Sequence, residues 1–190
     1  MSNSSPRSKQ TISRRSGRSE SGQAFVEFAF VAFILLALLF GLIDFGRAIY
    51  EHEVLVNLSR EGANLAARGT GSTQTEILSN AAAAVIVSAN PLNLNTKGLV
   101  IVTAVTNNGS GGLFISRQLS QGGITATSKV GTGVGKPATL PATNPQIPQS
   151  GQTLYATEVF YTYAPITPIG RLLTVTLPSR LYDVAYFCGK

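Results

Sequence analysis

The polar and apolar positions fall into three regimes along the chain. Residues 1–22 are polar and rich in Ser and Arg. From Phe25 to Ile43 the chain is apolar except for Glu27. As a helix this run is about 28 Å long at roughly 1.5 Å per residue, close to the hydrocarbon thickness of a bilayer. Beyond it, apolar residues recur at helical spacing: Leu55, Leu58, Gly62 and Leu65 form a docking stripe. Asp44, Arg47 and Glu51, three and four residues apart, read as a solvated helical face. Arg68 followed by Gly69-Thr70-Gly71 marks the stop. One continuous helix is therefore expected over about 23–68, its first half in lipid and its second packed on a domain.

The remainder alternates between helix and strand signals. Thr73-Gln74-Thr75-Glu76 has capping-box spacing before Ile77 and an alanine run at 81–84, which predicts a second helix ending at Asn90-Pro91. Strands are expected at 99–106, closed by Asn107-Asn108-Gly109, then at 113–119, 124–130, 153–163 and 172–187, the last broken at Pro178. Residues 131–150, rich in Pro, Gly, Thr and Gln, read as a surface loop. The fold class is α+β: a long N-terminal helix, transmembrane in its first half, packed on a small antiparallel sheet. The divisions are a leader at 1–22, a span at 23–43, its helical continuation at 44–69 and an outer domain at 72–190.

Charge changes what the leader means. The formal net charge is +6, yet Arg7, Lys9, Arg14, Arg15 and Arg18 against Glu20 put +4 of it in the leader. The rest of the chain is nearly neutral, so the gathered basic surface of a nucleic-acid binder is not expected. A basic cluster before the apolar run, with no comparable excess just after it, leaves the N-terminus in the cytoplasm and sends the following domain outward. A secretory signal peptide has a similar start, but its apolar centre is about 7–15 residues and ends in small residues. Here the run is longer and ends in Asp44-Phe45-Gly46-Arg47. An uncleaved signal anchor stays open as an alternative.

Little catalytic chemistry can be built. His52, the sole histidine, sits between Glu51 and Glu53 and reads as a solvated helix residue. One histidine and one cysteine do not make a usual zinc site. Gly131-Thr132-Gly133-Val134-Gly135-Lys136 lacks phosphate-loop spacing and runs into Pro137. No enzymatic activity, catalytic residue, metal or cofactor is expected. Cys188, which has no partner for an intrachain disulfide, is read chiefly as a buried inert residue, with a free thiol or an intermolecular bridge as the other options.

Glu27 is the exception to this blandness, since an ionisable residue within a membrane span is a functional candidate by default. Gly22 stands five residues before it and Phe28 directly after it. Gly22 also ends a short basic leader, where an extended backbone without a side chain would suit a peptidase. At Gly22–Glu27–Phe28 the sequence resembles the type IVb prepilin class. Asn57-Leu58-Ser59-Arg60-Glu61-Gly62-Ala63 and the proline-flanked turn after Ala156–Ala164 resemble TadE-like pseudopilins of the Flp, or tight-adherence (Tad), pilus system. The resemblance implies a pilin-like fold and cleavage by a prepilin peptidase between Gly22 and Gln23. Glu27 would set register by meeting the new amine of a neighbouring subunit, with Phe28 beside it in the motif. It implies as partners other pilins and pseudopilins, the bilayer and, indirectly, an assembly platform with its ATPase. The location implied is the bacterial inner membrane, with a single pass and the domain periplasmic or extracellular. The competing function is an uncleaved, membrane-anchored binding module of the cell envelope.

Overall fold

The structure, a computed structural model, describes residues 18–69, 71–107, 109, 112–141, 147–172 and 178–189. Most of the leader and the start of the expected last strand, 173–177, thus lie outside the described residues. The chain divides into two compact units, Met1–Leu39 and Phe40–Lys190. Helix α1 runs over Arg18–Arg68, beginning a turn earlier than expected. Residues 18–24 contain no proline, and their single glycine, Gly22, costs a helix only about 1 kcal/mol.

In the first unit the apolar side chains of α1 are exposed, Phe25, Val26, Phe28, Phe30, Phe33 and Leu38 among them. This helix is long and apolar enough to cross a membrane.

The second unit is built on a four-stranded sheet of order β2-β1-β3-β4, with β1 at Gly98–Asn107, β2 at Leu113–Gly122, β3 at Thr153–Thr162 and β4 at Arg180–Cys188. All three pairings are antiparallel. Two further helices precede the sheet: α2 at Gln74–Ser88 and α3 at Leu94–Lys97. A short one, α4 at Pro168–Leu172, lies between β3 and β4. The Thr73 hydroxyl accepts from the Glu76 N–H at 3.2 Å, and the Glu76 carboxylate accepts from the Thr73 N–H at 3.3 Å, so the capping box forms as expected. Helix α2 stops at Ser88, and α3, which the sequence pattern did not mark, follows the proline.

The main core lies between one face of the sheet and the helices. Leu55 and Leu58 of α1, Leu78 and Val85 of α2, and Val100, Val102 and Val159 of the central strands are its members. Each such aliphatic side chain stabilises the fold by about 1.5–3 kcal/mol. Gly62 sets how closely α1 approaches: a Cβ there would lie 2.7 Å from both Thr157 Cγ2 and Val85 Cγ2.

The opposite face is covered by the segment between β2 and β3. Val130 packs with Val105, Leu154 and Ala156, and Ile124 and Ala126 pack against Leu99, Ile101 and Phe160. This overturns the expectation of a strand at 124–130. The chain leaves the sheet at Gly122, whose φ of +153° accompanies a close pass over Gly98, and 124–130 lies on the sheet as irregular cover. The glycine-rich stretch that superficially suggested a phosphate loop docks on the edge strand: Ile115 N–H donates to the Lys136 carbonyl at 2.9 Å and Gly135 N–H to the Ile115 carbonyl at 2.7 Å. It thereby occupies backbone groups that an edge strand otherwise leaves open.

Candidate functional site

The motif residues Gly22, Gln23, Glu27 and Phe28 all lie on α1 and are exposed. Gly22 is helical here and not in extended backbone. Nothing lies within 4 Å of a Cβ placed on it. Gly22, Gln23, Val26, Glu27 and Phe30 line one shallow face, as residues separated by three to four positions must. Gln23 and Glu27 therefore share a side of the helix, one turn apart.

Further along α1 the structure corrects the expected solvated face. Asp44 is fully buried and Glu51 is 5% exposed. Together with Ala48 and Leu55 they form the strip that meets the domain, while Phe45, Ile49 and Tyr50 point away from it, exposed. The polar residues are buried because each finds partners. Asp44 Oδ1 accepts from the Ile166 N–H at 3.0 Å, Oδ2 accepts from the Thr167 hydroxyl, and its backbone carbonyl accepts from the Tyr163 hydroxyl at 2.7 Å. Gly170 leaves room for this carboxylate, since a Cβ there would collide with it. Burial pushes the Asp44 carboxyl up, but the donors from Thr167 and Ile166 and the nearby Arg47 charge outweigh it, holding the group below the ordinary aspartate range. Burial, with Asp44 close by, pushes the Tyr163 hydroxyl up. Arg47 pairs with Glu51 at 2.6 Å and lies 5.8 Å from the Tyr163 ring centroid. Higher on the same helix the Ser59 hydroxyl donates to the Asp183 carboxylate of β4.

A second buried carboxylate, Glu158, sits in the middle of β3 and ties down the covering segment. It accepts from the Ser128 hydroxyl, from the Lys129 N–H at 2.7 Å and from the Tyr182 hydroxyl at 3.0 Å. Lys129 Nζ stands 3.5 Å from the Tyr182 ring centroid. Burial and then Glu158 raise both neighbouring phenols, Tyr182 strongly and Tyr186 to about 12. The sequence pattern placed Asp44 on a solvated face and gave Glu158 no role. The available signal was a lone acid in an otherwise apolar stretch, at Asp44 after the membrane run and at Glu158 within Ala156–Tyr163.

His52 is exposed on α1. Cys188 is a free and exposed thiol, against the expectation of burial, because it lies near the end of edge strand β4. Among the described residues no group of three or more His, Cys, Asp and Glu side chains comes together as a metal site.

The geometry thus defines a class: an α+β domain carried on a long helix whose exposed apolar half has membrane-spanning length. Residues 22–64, most of this helix, match the TadE-like protein family model. The matched stretch begins at the motif glycine and takes in Asp44, Glu51, Ser59 and Gly62. No curated protein and no solved structure matches the chain.

Proposed function

We propose that the chain is a minor pseudopilin, a structural subunit needed to assemble or initiate a Flp/Tad-type pilus, and that a prepilin peptidase cuts it between Gly22 and Gln23. The observation that carries this reading is the Gly22–Glu27–Phe28 spacing at the head of an exposed apolar helix, inside the TadE-like match. The role is structural and not catalytic. The protein spans the bacterial inner membrane once, with its basic leader in the cytoplasm and its domain outside. It works with other pilins and pseudopilins and, through them, with an assembly platform and its ATPase.

Cleavage has a physical purpose. Hydrolysis of the Gly22–Gln23 amide leaves a carboxylate on Gly22 and an ammonium on Gln23. That ammonium stands at the positive end of the helix dipole, where a cation is disfavoured. Glu27, one turn on along the same face, offsets it, and in a bundle of parallel helices the Glu27 of a neighbour does the same between chains. Either charge alone is expensive in a low-dielectric setting. A head-to-tail contact of this kind propagates into a filament instead of closing a dimer. Access to the bond requires the turn over residues 18–22 to open, which is inexpensive at a helix terminus.

Mass measurement of protein extracted from membranes of cells with an active prepilin peptidase is the test. Loss of residues 1–22 is expected. Full-length protein in such cells overturns the proposal and leaves the uncleaved membrane-anchored binding module in its place.

A further inference from the structure

Within Phe40–Lys190, the end of the domain where α1 enters it has a charge pattern the proposed function does not use. Asp44, the first charged residue after the apolar run, marks its level. Tyr163 and Thr167 are bonded to Asp44. The pairings Gly98↔Tyr161 and Thr162↔Arg180 then bring Lys97 and Arg180 to the same end of the sheet, and α4, directly after Thr167, adds Arg171. All three cations are exposed. Both acids at this level are withdrawn from the surface, Asp44 by its hydrogen bonds and Glu51 by burial beside Arg47; the next acid along α1, Glu53, is exposed. Between Arg47 and Lys97 lies a cavity of about 530 Å³ whose lining includes Glu51, Asn93 and Thr96. Arg47 Nη1 and Glu51 Oε2 are buried without a hydrogen-bond partner. Exposed apolar side chains lie at this end too: Phe45, Ile49 and Tyr50 follow Asp44's level on α1, Tyr50 lining the same cavity as Lys97, and Ile166, 57% exposed, projects from the loop that holds Asp44.

We infer that this end of the domain is a phospholipid-contacting surface selective for an anionic bilayer. Lys97, Arg171 and Arg180 take lipid phosphates, and Ile166 and Phe45 rest at the acyl boundary. Cations beside apolar side chains form the pattern that binds a membrane interface, and the cationic part of that attraction is strongest for anionic lipid. Only Asp44 separates Phe45 from the apolar run in the chain, which favours lipid over a protein partner.

The sequence contains no tryptophan, so Ile166→Trp installs a single reporter in the full-length protein. Val134→Trp, in the glycine-rich stretch docked beside Ile115 at the other end of the sheet, is the control. Both are reconstituted in vesicles with brominated acyl chains, one set containing phosphatidylglycerol and the other phosphatidylcholine alone. Strong bromine quenching at position 166 and none at 134 is expected in the phosphatidylglycerol vesicles. Adding Lys97→Glu, Arg171→Glu and Arg180→Glu should remove roughly half of it or more, as should phosphatidylcholine alone. Absence of quenching at 166 overturns the surface. Equal quenching in both lipids, unmoved by charge reversal, overturns the anionic selectivity. The inference rests on α1 crossing the bilayer and not on cleavage at Gly22. Flotation of the vesicles at alkaline pH reports insertion separately, so inserted protein lacking quenching at 166 sinks this inference alone.

Discussion

Asp44 shows how one residue can reverse its meaning between sequence and fold. Its spacing to Arg47 and Glu51 fits a solvated helix face, yet it is buried because Ile166, Thr167 and Gly170, far away in sequence, form a cradle of donors with no side chain in the way. Its carboxyl is held below the ordinary value of 3.8 in the folded protein, so the ionised form favours the folded state. The stabilisation is complete well above 3.8 and is lost as pH falls through the lower folded value. Asp44→Ala strands the Thr167 hydroxyl and the Ile166 N–H, and should cost about 1–3 kcal/mol at neutral pH. Denaturation curves should show a smaller loss of stability on acidification in this variant than in the wild type over that acidic window. An unchanged acid dependence would remove Asp44 from the account.

Among the elements, the seam between α1, α2 and β3 depends on Gly62. Replacing a helical glycine by alanine ordinarily gains about 1 kcal/mol. Here the added methyl meets Thr157 and Val85 at 2.7 Å, both β-branched and stiff at χ1. Overpacking costs about 1–3 kcal/mol, so Gly62→Ala should destabilise the domain or at best break even, and Gly62→Leu should be clearly worse. Midpoints of chemical denaturation measure this, and a gain in stability for Gly62→Ala would show that α1 can move away from the sheet. The stripe of Leu55, Leu58, Gly62 and Leu65 was legible because helical spacing needs no knowledge of the partner. The cover over the other sheet face was not, since a composition of Pro, Gly and Thr announces a loop without saying what it lies on. Glu158, through Ser128 and Lys129, supplies part of that answer.

For the whole molecule, the proposed processing and assembly steps separate cleanly from folding. Gly22 and Glu27 are exposed, and a Cβ at Gly22 meets nothing within 4 Å. Gly22→Ala should leave the thermal stability of the protein undiminished while sharply reducing removal of residues 1–22, as seen by mass. Glu27→Ala should be cleaved normally and yet yield few fibres by electron microscopy. Normal fibre numbers from the Glu27→Ala protein would remove the register role. Loss of folding in either variant would contradict the exposed positions found here.

The sequence by itself determined the long helix, the apolar run of membrane length, the capping box of α2, the central strands and the motif at Gly22–Glu27–Phe28. Each of these depends on spacing between near neighbours along the chain: helical period, strand alternation, span length and cap offset. The tertiary structure alone decided the burial of Asp44, Glu51 and Glu158, the covering role of 124–141, the exposure of Cys188 and the gathering of Lys97, Arg171 and Arg180 at one end. Asp44 and Glu158 are tolerated in the interior because distant residues supply their donors, and only the tertiary fold brings the Ile166–Thr167 loop onto one and the Ser128–Lys129 cover onto the other.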